Sequence, residues 1–302
     1  MKRTMILIML LSESLLGQSG LAYLGLTSPP STDFSTTENT WPSTSYTPFE
    51  LAGGMIFVEA DLNGRRAHFI FDTGAPGLVL NTRQRVKGHQ RANGVLGETE
   101  LGQVEVDHFR WAGWEFHGVS AATMDMRSFE DLTGRSIDGL IGYDFIKGKE
   151  VFIDFDNRLI RLSLRSNPID GKMTPRASTA FRLLDHLPIV KVKLGGKNAY
   201  FGLDTGSEIN ILHSRWRDRL PGKLKNGHLL QVDGKRQKVE TMVVDQLSIG
   251  RVALDEMNYY LVDLSALEAE YGVQLDGILG FPFFHSQAVS LNFSRRKLCL
   301  WH

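Results

Sequence analysis

Two carboxylates in this chain carry the same neighbours. Asp72 lies in Phe71-Asp72-Thr73-Gly74-Ala75, and Asp204 lies in Leu203-Asp204-Thr205-Gly206-Ser207. Phe69-Ile70-Phe71 leads into the first motif and Leu78-Val79-Leu80 leads out of it. Tyr200-Phe201-Gly202-Leu203 and Ile209-Asn210-Ile211-Leu212 do the same for the second. A carboxylate between two buried strands is costly to desolvate unless something compensates it. Two such groups held together cannot both ionise easily, so they share one proton. One member then takes a proton from water while the other gives a proton to a carbonyl oxygen. That is general acid–base hydrolysis without a covalent intermediate, a metal or another cofactor, and the pair titrates as a unit.

One Asp-Thr-Gly alone reads as a turn, since Asp and Gly are turn formers. The surroundings change that reading because they repeat. Ala67, Phe69, Leu80 and Arg83 recur as Ala199, Phe201, Leu212 and Arg215, at the 132-residue offset that also separates the two aspartates. Upstream, residues 57–62 and 189–194 alternate apolar and polar, as half-buried strands do. Asn63-Gly64 and Gly195-Gly196 follow them as two-residue hairpin signals. Each motif is therefore expected on the return strand of a tight hairpin.

Later segments repeat at an offset of 138: Ile137-Asp138-Gly139-Leu140-Ile141-Gly142 recurs as Leu275-Asp276-Gly277-Ile278-Leu279-Gly280. Asp125 to Gly134 and Asp263 to Gly272 each read as a short helix, with an Asp start and a Gly stop. The six added residues of the second unit fall between Arg215 and the strand near Val244, as in a surface loop. A long unit present twice is a duplicated domain rather than a solenoid.

The rest of the composition narrows the function. The 34 basic and 34 acidic residues cancel, which gives no support for nucleic-acid binding. Cys299 stands alone, so no intrachain disulfide forms, and its place in an apolar final strand suits a small buried residue. Lys2-Arg3, an apolar run over residues 5–11 and small residues near Ala22 resemble a secretory signal peptide. The run is too short to span a bilayer. The expected organisation is a signal peptide over 1–22, a Ser/Thr/Pro-rich linker or pro-segment over 23–49, and lobes over 50–166 and 167–302. A second linker is expected around residues 165–179, with Pro168, Gly171 and Pro175.

On these motifs the chain resembles the aspartic peptidases of the pepsin and retropepsin group. Asp72-Thr73-Gly74-Ala75 resembles the retropepsin form of their signature and Asp204-Thr205-Gly206-Ser207 the pepsin form. Leu140-Ile141-Gly142 and Ile278-Leu279-Gly280 resemble the strand beneath each active-site loop. The likeness runs from about Met55 to the C-terminus. It implies an all-β fold of two duplicated barrel-like lobes related by a pseudo-two-fold axis, with short helices. It also implies a catalytic pair, Asp72 and Asp204, with Thr73 and Thr205 bonded across the lobes. Gly74, Ala75, Gly206 and Ser207 would support the carboxylates, and an extended peptide would lie in the cleft.

Three departures qualify the likeness. The candidate flap, Gly94-Val95-Leu96-Gly97 and the residues after it, lacks a Tyr. Ala75 lacks a hydroxyl to bond the nearby carboxylate, from which a working pH less acidic than a digestive enzyme's is expected. The disulfides of pepsins are missing, as in a compact bacterial-type member.

The remaining candidates read as structural. The nine His residues show no metal-ligand spacing, and His68 and His213 beside the motifs are expected to be structural. Trp111 and Trp114 should pack, and Asp138 and Asp276 should serve turns. The whole reads as an exported, periplasmic or extracellular, monomeric aspartic endopeptidase acting on peptide or protein. The rival readings are a peptide-binding or sensor protein on the same fold, and lobes that dimerise with separate chains.

Overall fold

The computed structural model describes residues 4–10, 22–27, 43–83, 90–94, 97–164, 174–230 and 236–301. An N-terminal pair, β1 (Thr4–Leu10) and β2 (Ala22–Thr27), forms a small antiparallel sheet. Strand β3 (Thr44–Pro48) then opens the duplicated body.

The first lobe contains β4 (Glu50–Ala52), β5 (Met55–Leu62), β6 (Arg65–Phe71), β7 (Leu78–Asn81), β8 (Gln90–Gly94), β9 (Gly97–Trp111) and β10 (Trp114–Met124). Helix α1 (Arg127–Thr133), β11 (Gly139–Ile141), β12 (Glu150–Asp154) and β13 (Leu159–Ser163) complete it. The second lobe begins with β14 (Ala177–Leu184), β15 (Leu187–Leu194), β16 (Lys197–Leu203), β17 (Asn210–His213), β18 (Leu224–Leu230) and β19 (Arg236–Val244). It continues through β20 (Leu247–Ile249), β21 (Val252–Ala253), β22 (Met257–Val262), α2 (Ser265–Tyr271) and β23 (Gly277–Leu279). Helix α3 (Phe281–His285), β24 (Val289–Asn292) and β25 (Lys297–Leu300) end the chain.

Turn chemistry sets the first hairpin of each lobe. Asn63 and Gly64 have φ of 51° and 80°, and Gly195 and Gly196 have 53° and 78°. Positive φ at both central residues is what a type I′ turn requires, and its twist matches that of the flanking strands. The return strands β6 and β16 run straight into the two Asp-Thr-Gly motifs.

In the first lobe the order β5-β6-β11-β7-β10-β9 returns to β5 through Asp61↔Arg110 and Leu62↔Phe109, closing a six-stranded barrel. The second lobe repeats the order with β15, β16, β23, β17, β22 and β19. There β20 returns to β15 through Lys193↔Ser248 and Leu194↔Leu247. The duplication is therefore present in strand register as well as in sequence. Both lobes are filled by large apolar side chains, with Phe69, Phe71, Phe109 and Trp111 at 1% exposure or less in the first. Each fully buried Phe contributes about 2–3 kcal/mol over its exposed state. Trp111 stacks on Phe71 at 5.5 Å and Trp114 is equally enclosed, so both tryptophans pack.

A single sheet joins the lobes, in the order β14-β25-β24-β12-β13-β3. Two segments read from composition as linkers contribute to it. Thr44–Pro48 pairs with β13, and Ala177 to Thr179 already belong to β14, paired with β25. Local Ser/Thr/Pro content did not reveal these strands because their partners lie more than a hundred residues away. The helices end as expected, with Gly134 and Gly272 at φ 64° and 62°. Their Asp starts work one residue early: Asp125 and Asp263 accept the N–H groups of Arg127 and Ser265. Among the described residues no helix is long and apolar enough to cross a membrane.

Candidate active site

The short strands β11 and β23 position the motifs. Strand β11 lies between β6 and β7, parallel to one and antiparallel to the other. The Asp72 N–H donates to Ile141 O at 3.0 Å and the Asp204 N–H to Leu279 O at 3.0 Å. Asp138 and Asp276 anchor these strands rather than serving only as turn residues. Asp138 accepts the His68 N–H at 2.8 Å, and Asp276 accepts the Tyr200 N–H at 3.0 Å, the Trp216 indole N–H at 2.9 Å and the Gln274 amide at 2.7 Å. Each acid thus ties down its strand four residues before the motif.

The two motif loops interlock. The Thr73 N–H donates to Thr205 Oγ1 and the Thr205 N–H to Thr73 Oγ1, both at 3.0 Å. Each hydroxyl in turn donates to the opposite strand: Thr73 to Leu203 O at 3.2 Å, and Thr205 to Phe71 O at 2.9 Å. All four residues are buried, so leaving any of these groups unpaired would be expensive.

The interlock sets the aspartates beside each other's glycines. A Cβ on Gly74 would lie 2.6 Å from Asp204 Cγ, and one on Gly206 would lie 2.3 Å from Asp72 Cγ. Only glycine leaves room for the facing carboxyl. Within its own loop, Asp72 Oδ1 accepts the N–H groups of Gly74 at 2.8 Å and Ala75 at 3.1 Å. Asp204 Oδ1 accepts that of Gly206 at 2.9 Å. Among the described residues no donor reaches Oδ2 of either aspartate. The facing carboxyl becomes such a donor once it holds a proton.

A family model described as aspartyl protease matches residues 58–145 and 190–283, once in each lobe and over more than half of the chain. The chain belongs to the aspartyl protease family. No curated protein sequence matches it. Among solved structures, basic 7S globulin from soybean is similar over 86% of this chain and 95% of that one, at 10% identity and a TM-score of 0.49.

In this aspartyl protease family member, burial pushes both carboxyls above the ordinary Asp range. For Asp204, the Asp72 charge and the bond shared with it add to the rise. For Asp72, that same bond and the Gly74 and Ala75 N–H groups oppose it. The arrangement favours a pair holding one proton, with Asp72 the better-supported anion.

Ser207 differs from the sequence reading. Its hydroxyl donates to Ile209 O at 2.8 Å instead of reaching Asp204. The Ser207 hydroxyl thus does not serve Asp204, and at the equivalent place in the first lobe the Ala75 N–H donates to Asp72 Oδ1 at 3.1 Å. Within its own loop Asp72 accepts two backbone N–H groups and Asp204 one, and Asp204 carries the added rise from the Asp72 charge.

The other sequence candidates lie apart from the pair. His68 is exposed, and His213 is buried near Glu268, where its Nδ1 accepts the Arg215 N–H at 3.2 Å. Gly94 ends β8 and Gly97 begins β9, and the two pair across the hairpin, while Val95 and Leu96 lie outside the described residues. Strand β2 packs against β8 and β9. Cys299 is buried in β25, where burial raises its thiol pKa.

Sequence reasoning missed His186. Its Nε2 donates to Gly74 O at 2.8 Å and the residue is 3% exposed. Its repeat counterpart is Gly54, where a Cβ would lie 2.6 Å from Glu208 Cγ. In each lobe this position abuts the loop of the opposite motif. Aligning the repeats pairs His186 with Gly54, but nothing local marks either as a contact.

Proposed function

We propose that this chain is an aspartic endopeptidase that hydrolyses peptide bonds with Asp72 and Asp204. The reciprocal seating of each carboxyl against the other motif's glycine carries this reading, because it leaves both Oδ2 atoms for a shared proton and a shared water. The ionised member takes a proton from that water as its oxygen attacks the carbonyl carbon. The protonated member gives its proton to the carbonyl oxygen, forming a tetrahedral diol. On collapse the C–N bond breaks, the amine nitrogen takes a proton, and the pair again holds one. The Asp72 N–H donors favour the state in which Asp204 keeps the proton at the outset.

Both aspartates have 0% exposure, so substrate entry requires movement. The β8–β9 hairpin, in which Gly94 pairs with Gly97, is the element we assign to that opening. Two covalently joined lobes supply both acids, so a monomer suffices. The basic, apolar and small-residue order of the N-terminus supports export to the periplasm or outside the cell.

The enclosure of the pair also favours a second reading, a peptide-binding protein with little turnover. A cleavage assay on denatured protein substrates across pH separates the two. Cleavage blocked by a transition-state mimic with a central hydroxyl, and abolished in both Asp72→Asn and Asp204→Asn, supports the enzyme. Cleavage unchanged in either variant rejects it, and tight binding of the mimic without any cleavage supports the binder.

A further inference from the structure

On the outer wall of the first barrel, far from the motifs in sequence, three potential metal ligands converge. His108 of β9 and His117 of β10 are directly opposed, with ring centroids 5.0 Å apart. Glu115 lies two residues before His117, hence on the same face of β10. One ligand atom from each of the three lies within 4.8 Å of the other two.

The ladder fixes this placement. The His108 N–H donates to Asn63 Oδ1 and the Asn63 N–H to His108 O, both at 2.9 Å. His108 thus spends its backbone groups on the first hairpin and faces His117 as a non-hydrogen-bonded pair, the kind whose side chains stand closest. On the inner face, Phe109 and Phe116 are core residues at 0% and 4% exposure, which locks the register. A one-residue slip would expose both and scatter the cluster.

Asp61 backs the group. Its Oδ1 lies 3.6 Å from His108 Nδ1 and accepts the Gly64 N–H at 2.7 Å. A carboxylate behind a histidine orients the ring and makes the other nitrogen a better ligand. The nearby cation, Arg110, stands opposite Glu115 and is drawn to Asp61 Oδ2 at 3.8 Å.

We infer that His108, Glu115 and His117 form a binding site for a divalent transition-metal ion, Zn²⁺ foremost. Two imidazoles and one carboxylate suit Zn²⁺ or Cu²⁺ better than Mg²⁺ or Ca²⁺, which require oxygen ligands. Zn–N and Zn–O bonds of about 2.0–2.2 Å bring ligands to about 3.2–3.5 Å separation, within reach of small rotations of these side chains. Three protein ligands leave a position open to water. The site is independent of the aspartate pair, and its metal clamps the β9–β10 hairpin.

The test uses the full chain after chelator treatment, titrated with ZnCl₂ by calorimetry, with thermal unfolding followed in parallel. We expect one Zn²⁺ per chain and a raised unfolding midpoint. His108→Ala and His117→Ala should each weaken binding by about tenfold or more, and Glu115→Gln by several-fold. His68→Ala, an exposed histidine outside the cluster, should leave it unchanged. With Cu²⁺ as probe, electron paramagnetic resonance should show two nitrogen ligands in the parent and one in His117→Ala. No saturable Zn²⁺ binding below millimolar, or binding that survives both His→Ala changes, overturns the inference.

Discussion

Phe152 and Ser290 face one another across the antiparallel strands β12 and β24, and each is the other's counterpart in the repeat. A strand paired antiparallel with its own duplicate at self-equivalent residues defines a local two-fold axis. Thr73 and Thr205, also counterparts, exchange identical 3.0 Å bonds at the motifs. The same symmetry thus operates in the joining sheet and at the aspartates. It explains how one duplicated sequence brings two equivalent acids face to face.

The threonine exchange should be a major source of interlobe stability. Thr205→Val removes the acceptor for the Thr73 N–H and the donor for Phe71 O, leaving two buried groups unpaired. We expect a loss of about 2–4 kcal/mol. Thr205→Ser keeps the hydroxyl and should restore most of it. Urea unfolding midpoints of the three proteins check this, and a Val variant as stable as the parent would refute it.

Gly206 is required by the Asp72 carboxyl rather than by the local backbone. Gly206→Ala places a methyl 2.3 Å from Asp72 Cγ, so the carboxyl or the loop must shift. We expect destabilisation of about 1–3 kcal/mol. Peptide cleavage should fall by about a hundredfold or more, as an ångström-scale misplacement of reacting groups does. Gly64→Ala, at a positive-φ turn with open space around it, should cost stability but leave cleavage near the parent rate. Equal cleavage losses in the two variants would contradict this account.

The aspartate pair should destabilise the fold at neutral pH. Burial raises both folded carboxyl pKa values above those of the unfolded chain. Over that interval the folded state binds more protons, so stability falls as pH rises through it. Below the unfolded Asp pKa both states are protonated and the penalty vanishes. Asp204→Asn should therefore raise the thermal midpoint at pH 7 while abolishing cleavage, and its advantage should shrink toward pH 3. A variant less stable than the parent at pH 7 would argue against the sign of these shifts.

Asp276 and Asp138 occupy equivalent places but should not be equivalent in energy. Asp276 is fully buried and accepts from Tyr200, Trp216 and Gln274, so Asp276→Ala orphans several donors. A loss of about 3–5 kcal/mol is expected. The Asp138 side chain is 20% exposed and pairs with Arg65 and the His68 N–H. Its replacement by Ala should cost about 1–2 kcal/mol. Denaturant titration of the two variants measures the difference.

The sequence alone determined the duplication, the hairpin turns at Asn63-Gly64 and Gly195-Gly196, the helix stops at Gly134 and Gly272, and the two Asp-Thr-Gly motifs. The duplication shows as the same residues recurring at offsets of 132 and 138, and the turns, helix stops and motifs are written in residues one to four positions apart, through φ preferences or local side-chain-to-backbone bonds. Only the tertiary structure decided that Ser207 turns to Ile209, that His186 reaches Gly74, and that His108 and His117 stand opposed. It also decided that Thr44–Pro48 and Ala177 to Thr179, linker-like in composition, are strands of the joining sheet. These contacts come from docking segments far apart in the chain, where geometry rather than local residue type selects the partner.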